Sequence, residues 1–545
     1  MIGFNWKDKT INFTLSSKKI QLLQSLSERF VSKAIIFFLF LASAIAFYYF
    51  YQQGLSLAYN DARSHLDIGR RVVEGLKPGF AQLGSVWLPL THLLMVPTIW
   101  SDFMWHTGLS GAIQSMVAYV ATSYLIYSIL KHLNVGLFGR IVGVLVFATN
   151  LNILYLQSTA MTELLLLATM TAGIYDFILW YKYNNLLHLV KSSFWIMLST
   201  LIRYDGWFLF LISAGIIVLQ ALRKKGYKAA EGTGILFCTL AGFGIVLWLL
   251  WNLLIFKDPL YFAFGPYSAH AQQQALEHAG VLATKGNLPL SVHVYTHAMA
   301  YNIGSFTLFL GFLGSILFYL DKKIDKTVRI ASLTLLAALV FNIVALFLGH
   351  SVLFLPEFSG NTWFNVRYGI MVLPSVAIFI GYLLHRLPSL RIAISGLMLF
   401  VLFFTYTNVD AVTIDDAKVG ASQKNVSQVS NYLRDDAKNV DGFILISVAS
   451  HDAVVFSSGL PMKRFIHEGT GAYWDLATKY PDEWAMWVIL RTGDDSDFTW
   501  HLLKNNTAFK TRFDRVHSYP FADIYMLKPE FRSKVQTQPV LGHQK

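Results

Sequence analysis

Apolar residues recur along the chain in long runs separated by short polar breaks. A helix crossing roughly 30 Å of hydrocarbon needs about 20 apolar residues. Runs of this kind predict helices near 34–51, 110–130, 140–157, 162–180, 192–205, 206–222, 233–256, 300–320, 328–349, 368–385 and 391–408. Segment 82–100, QLGSVWLPLTHLLMVPTIW, is apolar but short and interrupted by Pro89 and Pro97, which predicts an interfacial helix rather than a crossing. After Asn408 the pattern changes. Short β-prone runs such as GFILISVAS, WAMWVILRTG and FADIYML alternate with helical stretches such as SQVSNYLRDDA and DFTWHLLKNN. The expected fold class is a polytopic α-helical membrane protein of about 11 transmembrane helices followed by a soluble α/β domain. The expected division is an N-terminal segment 1–33, a membrane domain 34–408 with outer loops 52–109 and 257–299, and the soluble domain 409–545.

Composition narrows this further. With 54% hydrophobic and only 14% charged residues, a mean hydropathy of +0.47 and 42 Phe, the chain cannot hide its apolar surface from water. A soluble globular protein is excluded. The first apolar run begins near Ile35 and is followed by Tyr and Phe rather than small residues, which reads as a retained first helix rather than a cleaved signal. Cys238 is the single cysteine and sits in an apolar run, so neither a disulfide framework nor a cysteine metal site is available. Lys and Arg set the orientation, because positive loops stay in the cytoplasm. The N-terminal segment and the loops at 131/140, 182/191, 223–228, 322–329 and 386/391 hold 20 of them. The opposite loops hold eight: Arg63, Arg70, Arg71, Lys77, Arg203, Lys257, Lys285 and Arg367. The expectation is a multi-pass protein of the plasma (inner) membrane with a cytoplasmic N-terminus and an extracytoplasmic C-terminal domain. The 409–545 tail carries 16 Lys/Arg against 17 Asp/Glu, so the net charge of +12 lies in the membrane part. It is a topology signal and does not imply nucleic acid as a partner.

Charge at membrane depth is costly and marks functional candidates. Four outer helix ends carry it: Asn60, Asp61 and His65 in YNDARSHLDIGRR, Glu163 in STAMTELLLLA, Arg203, Tyr204 and Asp205 in LIRYDGW, and Arg367 and Tyr368 in NVRYGIMVLP. Asp61 reads either as a base taking a proton from an acceptor hydroxyl or as the N-cap of a helix starting near Ala62. Asp67 and Arg71 are spaced as an i,i+4 pair. Glu163 suits the dipole of a helix first turn, and the short loop before it would also hold the carboxylate inward. Arg203 and Asp205 read as a mutual pair or as site residues. Arg367 has only Glu357 nearby in sequence, and its planar, permanently charged group suits a phosphate. His270 and His278 lack a third ligand, so their stretch reads as a surface helix over a cavity rather than a metal site. GAYWDLA at 471–477 reads as core packing.

In order and sidedness these features resemble the GT-C glycosyltransferases. The likeness covers about 1–408 and is carried by YNDARSHLDIGRRV, TAMTELLLL, LIRYDGW and NVRYGIMVLP. It is similar to bacterial and archaeal members of the glycosyltransferase family 39 type, related to protein O-mannosyltransferases and lipid A aminoarabinose transferases. The resemblance implies a GT-C fold and an inverting, hexosyltransferase-type enzyme of cell-envelope glycan synthesis. Such an enzyme moves a sugar from a polyprenyl-phosphate donor to a lipid, glycan or protein acceptor at the extracytoplasmic face. By matching position, it implies Asp61 as the base, Glu163 as a second carboxylate in the cavity and Arg367 as the group neutralising the departing phosphate. It also implies that Arg203 and Tyr204 line the donor site, with Asn60, His65, Asp205 and Tyr368 beside them. Asn60-Asp61 stands where a DxD metal motif would be, and YWDLA differs from the WWDYG of the oligosaccharyltransferase branch. No cofactor is therefore expected, a divalent metal has no DxD to support it, and a single-sugar donor is preferred. Two other classes stay open. A transporter or flippase of lipid-linked glycans calls for mid-span charges and internal repeats, and a glycan ligase or polymerase calls for a large outer loop rich in Arg and His.

Overall fold

The computed structural model describes residues 17–265, 268–278, 280–356, 358–419 and 423–539. Residues 1–16 of the expected cytoplasmic segment, and Pro266, Tyr267 and Ala279 of the expected surface helix, lie outside the described residues. Among the described residues, eight helices are long and apolar enough to cross a bilayer: Glu28–Gln52, Leu109–His132, Glu163–Tyr183, Asp205–Lys224, Tyr227–Phe256, Lys326–Phe347, Val366–Arg386 and Arg391–Val419. The bent pair Leu288–Ile303 and Ser305–Leu320, counted as one span, makes nine, against the eleven expected from the runs. The expected runs 140–157 and 192–205 hold the shorter helices Leu137–Ala148 and Leu186–Thr200.

Ion pairs show which helix ends lie together. At one end Glu28 pairs with Lys131 (3.0 Å) and Arg140 (2.8 Å), Asp176 with His188 (2.7 Å), and Asp321 with Arg386 (3.1 Å). At the other end Asp61, Glu163, Arg203 and Arg367 meet. The loops rich in Lys and Arg thus gather opposite the candidate site.

Several helices differ from the sequence expectation. The run 140–157 is not one span: it breaks into Leu137–Ala148 and Leu151–Leu156, where the Asn150 side chain accepts from the Ile153 amide and caps the second piece. The run 300–320 is split at Gly304, whose φ of +87° turns the chain through 110° between Ile303 and Ser305. The span expected over 192–205 is helical from Leu186 only to Thr200, which leaves Arg203 in a turn before the next helix. Within 82–100 only Leu90–Ile99 is α-helical, about 15 Å long at 1.5 Å per residue and too short to cross.

The C-terminal sheet comprises β1 (Ile444–Leu445), β2 (Phe465–Ile466), β3 (Trp487–Leu490), β4 (Phe513–Ser518) and β5 (Asp523–Leu527). Their order across the sheet is β2-β1-β3-β5-β4. β1 runs parallel to β2 and β3, and β5 antiparallel to β3 and β4. The central strands are buried, so they read as apolar runs without alternation. Tyr473 and Trp474 of the 471–477 stretch are buried on the helix Ala472–Lys479.

The helix Asn60–Val73 joins this domain to the bundle by packing against both. Arg63 and Arg71 reach the helix Val448–Ser458, through Ser457 Oγ (3.0 Å) and Asp452 Oδ1 (3.0 Å). Arg71 therefore pairs with Asp452 rather than with Asp67, because both are held inside this seam. Asp67 instead accepts from Trp105 Nε1 (3.2 Å) and lies against Asp452. Burial pushes both carboxyls up, Asp452 to about 6. Arg70 donates to the Ile99 and Trp100 carbonyls (2.8 and 2.7 Å) and to Asp102 (2.6 Å), closing the open end of the short helix Leu90–Ile99.

Candidate functional site

Four separate segments deliver the charged side chains. Asp61 lies in the first turn of Asn60–Val73, whose N-cap is Tyr59, so it does not act as the helix cap. Glu163 opens Glu163–Tyr183, where the amino-terminal dipole favours a carboxylate. Arg203 occupies the turn before Asp205–Lys225, and Arg367 the 3-10 turn Val366–Val372. That turn is fixed from below. Asn302 Nδ2 donates to the Val366 and Ala298 carbonyls (2.7 and 2.8 Å), while the Asn150 and Asn152 amides donate to Asn302 O (2.8 and 3.0 Å). Gly369 lets the backbones meet: a Cβ there would stand 2.3 Å from the Ala298 oxygen.

Arg367 is the hub. Its Nη2 donates to Asp61 Oδ2 (2.6 Å), its Nε to Glu163 Oε1 (3.0 Å), and its Nη1 faces Asp416 Oδ2 (3.6 Å). Arg203 donates to the same Glu163 oxygen (3.4 Å) and to Asp205 Oδ2 (3.3 Å). The Tyr368 ring lies beneath both guanidinium groups, 4.5 Å from that of Arg203 and 5.3 Å from that of Arg367, and the Tyr59 ring lies 5.0 Å from that of Arg367. Tyr59 also donates its hydroxyl to Asp416 Oδ2 (3.0 Å) and the Thr413 carbonyl (2.8 Å).

Burial is uneven. The Glu163 side chain is 0% exposed and that of Asp416 2%, whereas that of Asp61 is 42% exposed. The cluster thus has a dry floor and one open carboxylate at its rim. Four carboxyl groups face two guanidinium groups, and two buried oxygens, Glu163 Oε2 and Asp205 Oδ1, find no donor among the described residues. Such acceptors suit the hydroxyls of a polar ligand. Among the described residues, no group of three or more His, Cys, Asp or Glu side chains is arranged to hold a metal ion.

Asp61, Glu163, Arg203, Asp205, Arg367 and Tyr368 therefore converge, and Asn60 stands beside them as the first residue of its helix. His65 and Tyr204 do not join the ion pairs. His65 shares a hydrogen bond with His92 (2.8 Å) against Trp87, and burial brings it down to about 3, so it stays neutral. Tyr204 stacks on Phe262 and meets Trp207 edge-on. Asp416, Tyr59 and Asn302 belong to the site but were not among the expected residues. Asp416 sits in VTIDDAKV, where two adjacent acids follow the last apolar run, a signal hidden by placing the segment in the soluble tail.

No protein-family model matches the sequence, and no curated protein matches it. Solved structures do match. ArnT from Cupriavidus metallidurans bound to undecaprenyl phosphate superposes with a TM-score of 0.53 at 9% identity, over 91% of this chain and 99% of that one. Its apo form superposes with a TM-score of 0.51 at 10% identity, over 88% and 94%. At these identities the likeness concerns the fold, and it extends over almost the whole of both chains. The chain is a multi-pass membrane protein that shares the fold of ArnT.

Proposed function

We propose that the protein is a glycosyltransferase that moves a sugar from a polyprenyl-phosphate donor to an acceptor hydroxyl at the membrane face where the C-terminal domain lies. The observation that carries this reading is the convergence of Asp61, Glu163, Arg203 and Arg367 from four segments onto one partly open cluster. The likeness in fold to ArnT, a protein crystallised with undecaprenyl phosphate, supports the lipid-phosphate donor. In the proposed step the acceptor oxygen attacks the anomeric carbon from the face opposite the phosphate. A carbon–oxygen bond forms to the acceptor, the bond to the phosphate oxygen breaks, and the configuration inverts. The acceptor proton passes to Asp61, and polyprenyl phosphate leaves with the bonding pair, its charge met by Arg367 and Arg203. Glu163 and Asp205 turn unpaired oxygens to the sugar hydroxyls. The two arginines supply the positive charge the leaving group requires, so we propose that no metal takes part.

The test is to incubate the purified protein and a cell-envelope extract as source of acceptor with radiolabelled polyprenyl-phosphate sugars or with nucleotide sugars, each with and without a chelator. Release of free polyprenyl phosphate only from the lipid-linked donors, unchanged by chelator, supports the reading. Transfer from nucleotide sugars instead would overturn it.

A further inference from the structure

Resting on that reading, the cluster poses a problem of occupancy. Arg367 is the group assigned to the lipid phosphate, yet all three of its nitrogens already face carboxylates: Nε to Glu163, Nη2 to Asp61 and Nη1 to Asp416. The rings of Tyr59 and Tyr368 lie 5.0 and 5.3 Å from the guanidinium, which keeps it from turning towards a new partner. Two of its N–H groups are spent on Glu163 and Asp61, and its side chain is only 6% exposed, so a phosphate arriving at the open rim meets Arg367 at the Nη2 that Asp61 holds.

The structure shows which acid can yield. Glu163 is fully buried and also holds Arg203 (3.4 Å). Asp416 is buried and accepts the Tyr59 hydroxyl (3.0 Å). Moving either would strand a second partner in a dry pocket, a costly exchange. Asp61 has neither restraint. Its side chain is 42% exposed, it forms no ion pair other than that with Arg367 among the described residues, and it stands at the rim where a ligand enters. A phosphate oxygen and the Asp61 carboxylate are alike in charge and in the geometry of their hydrogen bonds to a guanidinium, so they compete for Nη2.

We propose that the donor's lipid phosphate takes the place of Asp61 on Arg367 Nη2, so that donor binding itself frees the Asp61 carboxylate for the acceptor hydroxyl. Before the donor arrives, Asp61 neutralises Arg367. Afterwards the phosphate does so, and Asp61 is unpaired. After transfer, the return of Asp61 to Arg367 helps expel polyprenyl phosphate. The site thereby couples its two substrates, because the base is released only where a donor is bound.

The experiment measures equilibrium binding of polyprenyl phosphate, with the unphosphorylated polyprenol as control, to the full-length protein in detergent. Wild type is compared with Asp61→Asn and Asp61→Ala, each checked for a wild-type melting profile. Removing the competing charge should tighten polyprenyl phosphate binding about 10-fold or more, the scale of one charge-assisted hydrogen bond, and leave polyprenol binding unchanged. Two substitutions guard against a local defect in either one. Binding that is equal to wild type or weaker in the folded Asp61 variants overturns the exchange while leaving the site a phosphate site. Wild type binding polyprenol as tightly as polyprenyl phosphate overturns the phosphate-site reading itself.

Discussion

Arg367 and Glu163 touch one another, but the environment makes their removal unequal. Glu163→Gln keeps the side-chain shape and takes one negative charge from a cluster where four carboxyls face two guanidinium groups. Arg367 keeps Asp61 and Asp416, and Arg203 keeps Asp205, so the expected loss is the net value of a hydrogen bond or two, about 1–2 kcal/mol. Arg367→Met does the reverse. Glu163 retains Arg203 at 3.4 Å, but Asp416 is left buried with the Tyr59 hydroxyl alone. An uncompensated buried charge of this kind costs about 3–5 kcal/mol. Adding Asp416→Asn to Arg367→Met should then restore roughly half of the loss, whereas in wild type Asp416→Asn should be mildly destabilising. The assay is thermal unfolding in detergent at one fixed scan rate, for wild type, three single variants and the double variant. If Arg367→Met melts no lower than Glu163→Gln, or if Asp416→Asn deepens its loss, then Arg367 is not the counter-charge of the buried acids and the cluster has been misread.

Further outcomes follow from the same contacts. Gly369→Ala would drive a Cβ into the Ala298 carbonyl, so it should destabilise by about 1–3 kcal/mol and lower transfer by shifting Arg367, seen in melting and kinetic measurements together. Asn302→Ala leaves the buried Val366 carbonyl without its donor and should cost about 1–3 kcal/mol. Because Asn302 positions Arg367 without touching substrate, its effect on transfer should fall on kcat more than on KM. The Asp67 and Asp452 carboxyls are raised by burial, Asp452 from 3.8 to about 6. The folded state then binds more protons than the unfolded state between about pH 4 and pH 6, so stability falls as pH rises through that window. Asp452→Asn should flatten this slope, and a slope unchanged in the variant would contradict the seam assignment.

Much of the architecture was legible because lipid imposes one rule on every span. Runs of apolar residues marked most of the helices, and the Lys/Arg-rich helix ends at Lys131, Arg140 and Arg386 lie apart from the end that holds Asp61, Glu163 and Arg367. What the pattern hid were breaks made by single residues. Asn150 caps a new helix inside an apolar run, and Gly304 turns the chain through 110° without any loss of hydrophobicity. At the site, residues bearing charge at helix ends could be found singly. Their partners could not, since Asp61 and Arg367 lie 306 positions apart and meet only through the fold. Asp416 was hidden because its short helix Val412–Val419 comes after the last long apolar run, Arg391–Thr407, in a stretch that reads as soluble domain. The local pairing of Asp67 with Arg71, natural on an isolated helix, gave way to Asp452 once the C-terminal domain packed on the same face.

The most direct test reconstitutes wild type and Asp61→Asn into liposomes and follows radiolabelled sugar from a polyprenyl-phosphate donor to acceptor. Wild type should transfer the label, and Asp61→Asn, folded to the same melting point, should do so at least about 100-fold more slowly, the usual share of a general base. Undiminished transfer by the variant, or movement of the lipid-linked sugar across the bilayer without transfer by wild type, would contradict the account.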